Sequence, residues 1–289
     1  MMRKQKQQAV QRLLAYYPPE EAEQLAKLLL EKAYGKPYAQ LLLALDKDST
    51  NIPPEQAWEK VEGWLMRLLA HEPVQYVLGE AYFGEHTLTV TPAVLIPRPE
   101  TEYLLHLIAQ RTPSNSVQHA TDVATGSGAI AIALASLFPL ATVEAVDVST
   151  EALAVAQKNA VAVGLQERIR FARVDLLEGN EELEGKGYNL LVSNPPYILP
   201  HEKAGMRPHV LEQEPHIALF VPAEDPLLYY RRIFSIYAHR MAEGGEIYFE
   251  GNPLTIEALL ELGLSYGWHG TVLEDMCGRK RYTHFKQEP

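Results

Sequence analysis

The 289-residue sequence contains a single cysteine, Cys277, so neither an intramolecular disulfide nor a cysteine-rich metal site can form. That suits a reducing compartment, and Cys277 is expected to be an inert core thiol. No run of about 18 apolar residues occurs, which argues against a membrane span. The opening residues, Met1-Met2-Arg3-Lys4-Gln5-Lys6-Gln7-Gln8, are polar and lack the apolar stretch that secretion requires. A cytoplasmic protein is expected. Positive charge is scarce too: 26 Lys and Arg stand against 37 Asp and Glu, a net charge of −11 that suits no protein gripping nucleic acid through its phosphates. Residues 1–75 carry 10 basic and 10 acidic side chains, so the whole imbalance falls on the remainder. Arg3, Lys4, Lys6 and Arg12 form a small basic stripe, read as a solvated helix start. The ten histidines have no metal-ligand spacing, and His201, His209 and His216 are expected on loop surfaces. No metal is expected.

What is present is an ordinary globular balance, 47% hydrophobic and 22% charged, long enough for two domains. Through residues 8–70 apolar positions recur at helical spacing: Leu13, Leu14 and Tyr17, then Leu25, Leu28 and Leu29, then Leu41, Leu42 and Leu45, then Trp58, Val61, Leu65 and Leu68. Breaks fall at Pro18-Pro19, Gly35-Lys36-Pro37 and Asn51-Ile52-Pro53-Pro54. A small all-α bundle over 1–75 follows. Tyr82 to Val90 alternates around a Gly turn and predicts a β-hairpin within a linker over 76–112. From 113 to 289, strands at 118–123, 142–146, 169–174, 190–193 and 246–250 alternate with helices at 129–137, 151–163, 227–242 and 254–262. Two further strands are expected near 268–273 and 282–285. This alternation predicts an α/β domain with a doubly wound, parallel, Rossmann-like sheet.

Asp122-Val123-Ala124-Thr125-Gly126-Ser127-Gly128 lies where the first of these strands gives way to a helix. Two close glycines permit a φ > 0 turn and let a ligand press on the backbone. The spacing is not that of a pyrophosphate loop, and the carboxylate of Asp122 suits a cationic ligand such as a sulfonium bearing an amino group. Asp147 ends the next strand, 21 positions beyond Gly126, where a carboxylate can accept from both ribose hydroxyls of an adenosine. Asp175 ends the third, placed to accept from an adenine amine while Leu176 covers the ring. Taken singly, a Gly-rich turn or a strand-end Asp is plain turn or helix-cap chemistry. Three in register at successive strand ends point to a ligand site.

Leu190-Leu191-Val192-Ser193-Asn194-Pro195-Pro196-Tyr197 is an apolar strand that stops at an amide, two prolines and an aromatic ring. At its barest this is a strand terminator, since prolines cannot continue a ladder. The residue identities suit chemistry on a planar NH2 group, a poor nucleophile because its lone pair is delocalised. The Asn194 side-chain oxygen and the Pro195 carbonyl can accept its two hydrogens, Pro195 and Pro196 stiffen the corner, and Tyr197 is expected to pack over the target. Attack is then an in-line displacement on a sulfonium methyl.

These segments, with Pro73 to Gly79, Leu95-Ile96-Pro97-Arg98-Pro99-Glu100-Thr101-Glu102, Asn159-Ala160 and Glu214-Pro215, resemble the HemK-type release-factor glutamine methyltransferases over most of the chain. The resemblance implies S-adenosylmethionine as donor and a seven-stranded methyltransferase sheet behind a helical domain that helps hold the partner. As substrate it implies the glutamine of the Gly-Gly-Gln loop of class 1 peptide chain release factors. It places the donor against Ala124 to Gly128, Asp147, Leu176 and Asn194, and the glutamine against Asn194 to Tyr197. Arg98 and Glu102 are expected in the wall near the substrate, or as a mutual salt bridge four residues apart. Direct nucleic-acid binding is not expected, although adenine and guanine amines are also planar targets and a nucleic-acid amino methyltransferase is the alternative. A donor-binding or assembly protein without catalysis is a third reading. Ala124 stands where the family usually has glycine, which requires a negative φ there. The stretches 220–227 and 251–253 also depart from the family pattern and are expected to lie away from the motifs.

Overall fold

The computed structural model describes residues 2–43, 53–178 and 185–287. The predicted helical position Leu45 and the break at Asn51-Ile52 lie outside the described residues. Two compact units emerge, Met1–Leu78 with Pro208–Gln213, and Gly79–Arg207 with Glu214–Pro289. The hairpin and the helix after it thus group with the sheet. Among the described residues no helix is long and apolar enough to cross a membrane.

The first unit contains α1 (Met2–Leu13), α2 (Pro19–Tyr34), α3 (Tyr38–Leu43), α4 (Pro54–Leu69) and α5 (Val74–Leu78). Pro19 and Pro54 open their helices, where a missing N–H costs nothing. Gly35 closes α2 in the left-handed conformation, φ +65°, and its N–H returns to the Glu31 carbonyl. The stripe Ala22, Leu25, Ala26, Leu29 and Leu30 buries against Leu13, Val61, Leu65 and Leu68. Each such leucine contributes about 1.5–3 kcal/mol of transfer free energy.

The second unit begins with β1 (Glu80–Phe83) and β2 (His86–Thr89), joined by a two-residue turn at Gly84, φ +57°. There follow α6 (Pro99–Arg111), β3 (His119–Val123), α7 (Ala129–Leu137), β4 (Thr142–Asp147), α8 (Thr150–Ala162), β5 (Ile169–Arg173) and β6 (Tyr188–Ser193). After α9 (Pro208–Gln213), which groups with the first unit, come α10 (Leu228–Tyr237), β7 (Met241–Glu250), α11 (Ile256–Ser265), β8 (Trp268–Glu274) and β9 (Lys280–Gln287). The sheet order is β5-β4-β3-β6-β7-β9-β8, parallel except that β9 runs antiparallel to both neighbours. Alternate residues enter two cores, Leu190, Val192 and Tyr248 on one face, Leu191, Ile247 and Phe249 on the other.

Two expectations are corrected. The helix predicted to reach Ala242 ends at Tyr237, because Met241 already pairs with Tyr188 as β7 begins. Cys277 is exposed, lying in the turn between β8 and β9 with its N–H donated to Asp275 Oδ1.

Candidate active site

The chain leaves β3 for β4 on one side, while β6 pairs on the other. At such a reversal the connections diverge and open a crevice beyond the carboxyl ends of the strands. A cavity of about 1200 Å³, counted with its open mouth, occupies that place.

On one side the loop after β3 is stapled to β4. Thr125 N–H donates to the Val146 carbonyl at 2.9 Å and Gly126 N–H to Asp147 Oδ2 at 2.9 Å. Asp147 Oδ1 accepts from Ser149 N–H at 3.0 Å, and the Ser149 hydroxyl caps α8 by accepting from Ala152 N–H. Burial pushes the Asp147 carboxyl up from its ordinary value, against the lowering effect of these N–H groups. Ala124, Thr125, Gly126, Ser127 and Asp147 line the cavity, and so do Asp175 and Leu176 beyond β5.

Two residues predicted to meet the donor do not line the cavity. Asp122 is fully buried behind the loop, where Oδ2 accepts from the Thr125 hydroxyl and from Ala131 N–H, while among the described residues Oδ1 has no partner. Desolvation, only partly offset by these bonds, pushes its carboxyl up to about 7. It secures the loop from behind. At Gly128, φ +81°, an added Cβ would lie 3.0 Å from that of Ala156, so its smallness serves the approach of α7 to α8. The required negative φ at Ala124 is also overturned: it is +63°, imposed by the turn that brings Thr125 N–H to Val146. That conformation costs about 1–2 kcal/mol for a residue with a Cβ.

On the other side β6 ends at Ser193, and the next residue, Asn194, lines the cavity together with Pro196. Asn194 Nδ2 donates to Thr101 Oγ1 at 3.0 Å, and among the described residues Oδ1 has no protein donor. Pro195 and Tyr197 do not line the cavity. Tyr197 instead packs on the core beneath the sheet end, and its hydroxyl donates to Glu250 Oε1 at 2.9 Å. Beyond the corner, Ile198 N–H donates to the Leu219 carbonyl and Val221 N–H to the Ile198 carbonyl, a short parallel bridge that fixes the exit. Asn252 Nδ2 donates to the Tyr197 carbonyl at 3.2 Å and to Glu202 Oε2 at 2.6 Å. The stretch 251–253, expected away from the motifs, therefore braces one of them.

Arg98 lines the cavity, but Glu102 is exposed and does not. Their expected pairing is replaced by Arg98 with Glu214. No sequence spacing reveals Thr101 and Glu250 as partners of the corner, since the start of α6 and the end of β7 lie far from Asn194 along the chain. A signal did exist for Asn159, whose Nδ2 donates to the carbonyls of both Thr89 and Ser127 and so ties the hairpin to the loop after β3.

Residues 5–79 match the family model described as the PrmC N-terminal domain, and residues 100–213 match the methyltransferase small domain. Among solved structures, a methyltransferase from Pyrococcus furiosus covers 79% of this chain and 100% of its own at 17% identity and a TM-score of 0.53. A 16S rRNA N2 G1207 methyltransferase from T. thermophilus covers 72% of this chain and 50% of its own at 19% identity and a TM-score of 0.52. These share the fold. A release factor glutamine methyltransferase of Bacteroides thetaiotaomicron is 40% identical over 94% of this chain and 95% of its own, and one of Flavobacterium psychrophilum is 38% identical over 95% of each. One of Deinococcus radiodurans is 34% identical over 91% of this chain and 90% of its own. With identity at that level running through both units, the chain belongs to the release factor glutamine methyltransferase family.

Proposed function

We propose that this protein transfers a methyl group from S-adenosylmethionine to the side-chain amide nitrogen, N5, of the glutamine in the Gly-Gly-Gln motif of class 1 peptide chain release factors. The observation that carries the reading is that Asp147 and Asn194, at the ends of strands on either side of β3, line one cavity. A carboxylate offers about four lone-pair sites. Asp147 accepts from Gly126 N–H on one oxygen and Ser149 N–H on the other, with Val148 N–H also near, and its carboxylate faces the cavity where a ribose hydroxyl would donate to it. Leu176 supplies an apolar surface for a base and Asp175 a carboxylate beside it. When bound, the donor supplies an electrophilic methyl group on a cationic sulfur.

The chain's own contribution is to hold the acceptor. An amide nitrogen shares its lone pair with the carbonyl, so its reactive face must be presented at short range and in line. The Asn194 oxygen accepts a hydrogen of the target amide, Pro196 forms the wall beside it, and Pro195 stiffens the corner. Asp122, Gly128 and Tyr197 support the site from outside the cavity, whereas Glu102 is exposed and is given no part in it. The first unit is proposed to help hold the release factor. Transfer of labelled methyl from S-adenosylmethionine to a purified release factor tests the reading. Label that persists after the Gly-Gly-Gln glutamine is replaced, or that appears on RNA bases instead, contradicts it.

A further inference from the structure

We infer that Thr101 and Glu250 are positioning residues that decide which end of the Asn194 amide faces the acceptor. This rests on the role proposed above for Asn194. Three hydrogen bonds run in series: Asn194 Nδ2 donates to Thr101 Oγ1 at 3.0 Å, Thr101 Oγ1 donates to Glu250 Oε2 at 2.7 Å, and the Tyr197 hydroxyl donates to Glu250 Oε1 at 2.9 Å. The direction of each bond follows from the last partner in the series. An ionised carboxylate only accepts, so the single proton of the Thr101 hydroxyl is committed to Glu250. What the hydroxyl then offers Asn194 is a lone pair. Asn194 must turn its NH2 towards Thr101 and keep its oxygen for the ligand.

The restraint matters because an asparagine amide turned by 180° has nearly the same shape and opposite polarity. Turned that way, its NH2 would meet the NH2 of the target, two donors with no acceptor between them. A glutamine at position 250 could offer either polarity to Thr101, whereas an ionised glutamate offers one. Glu250 is 1% exposed, so water does not substitute for it, while Thr101, at 5%, lies at the cavity wall beside Asn194. Burying a carboxyl is costly: burial and the nearby Glu100 charge raise the pKa of Glu250, against the Thr101 and Tyr197 hydroxyls and the Arg281 charge, while the geometry points one hydroxyl at each of its two oxygens. The same series gives Tyr197 its place, holding the second carboxylate oxygen instead of covering the acceptor.

The test uses the full chain with S-adenosylmethionine and a purified release factor, comparing wild type with Thr101→Val, Thr101→Ser and Asn194→Ala. Thr101→Val keeps the shape and removes the hydroxyl. We expect it to lower kcat about ten- to a hundredfold while donor Kd by calorimetry stays within about twofold, and Thr101→Ser to restore turnover to within about threefold. Should Thr101→Val fail to bind donor, Thr101→Cys, of similar volume with a far weaker hydrogen-bonding group, is read the same way. Wild-type kcat in the Val or Cys variant, with Asn194→Ala inactive, overturns this inference and leaves the role of Asn194 standing. Near-normal turnover in Asn194→Ala overturns that role itself.

Discussion

Arg98 Nη2 lies 2.5 Å from Glu214 Oε1, joining residues 116 positions apart, and the other oxygen of the same carboxylate accepts from Ile96 N–H at 3.1 Å. The Glu214 side chain is wholly buried. One carboxylate thereby fastens two stretches that both line the cavity, around Arg98 and from Pro215 to Ala218. Glu214→Ala should strand a guanidinium and a buried N–H, costing about 2–4 kcal/mol. Urea unfolding checks this, and an unchanged midpoint contradicts it.

Ala124 occupies a left-handed turn at φ +63°. Ala124→Gly relieves about 1–2 kcal/mol of steric strain and adds about 0.5–1 kcal/mol of chain entropy to be lost on folding, so a net gain of about 0.5–1 kcal/mol is expected. A higher denaturant midpoint with unchanged slope is the predicted result. A lower midpoint would show that the alanine makes contacts worth more than the strain.

Asp122 carries a buried oxygen without a partner among the described residues, and its carboxyl is pushed up to about 7 mainly by burial. A pKa raised on folding stabilises fully below the unfolded value near 3.8 and loses that contribution as pH rises through about 7. Asp122→Asn keeps an acceptor for Thr125 and Ala131 and never ionises. Its stability relative to wild type should climb between pH 4 and pH 8, by about 1–4 kcal/mol. Thermal melting across that range checks it, and a flat difference contradicts it.

Asp147→Ala should weaken donor binding by about 1.5–3 kcal/mol, the worth of charge-assisted hydrogen bonds to the ribose. Calorimetric titration with S-adenosylmethionine measures this directly. Unchanged affinity in a variant that melts normally would remove Asp147 from the donor site.

What the sequence made legible was whatever its local patterns carry. Alternating helices and strands revealed the parallel sheet, and strand-end residues located the crevice, because both are encoded within a few neighbouring positions. Partnerships across the fold were hidden. Arg98 and Glu102 have helical spacing, yet Arg98 precedes α6 with extended backbone, φ −103° and ψ 145°, so no shared helical face brings them together. Thr101 and Glu250 meet only because α6 and β7 converge on the end of β6, and Asn252 reaches Tyr197 across 55 positions. Asp122 looked like a ligand for a cation because its position suits a carboxylate. Only the burial of its side chain and its bonds to Thr125 and Ala131 reveal that it secures the loop from behind.

The central claim is that the corner at Asn194 holds a glutamine side-chain amide for methyl transfer. Peptide mass spectrometry of a release factor incubated with the enzyme and S-adenosylmethionine tests it most directly. One added methyl group on the Gly-Gly-Gln glutamine is predicted with wild type, and none with Asn194→Ala, although that variant still binds donor. An unmodified glutamine with wild type, or a methylated one with Asn194→Ala, would contradict the claim.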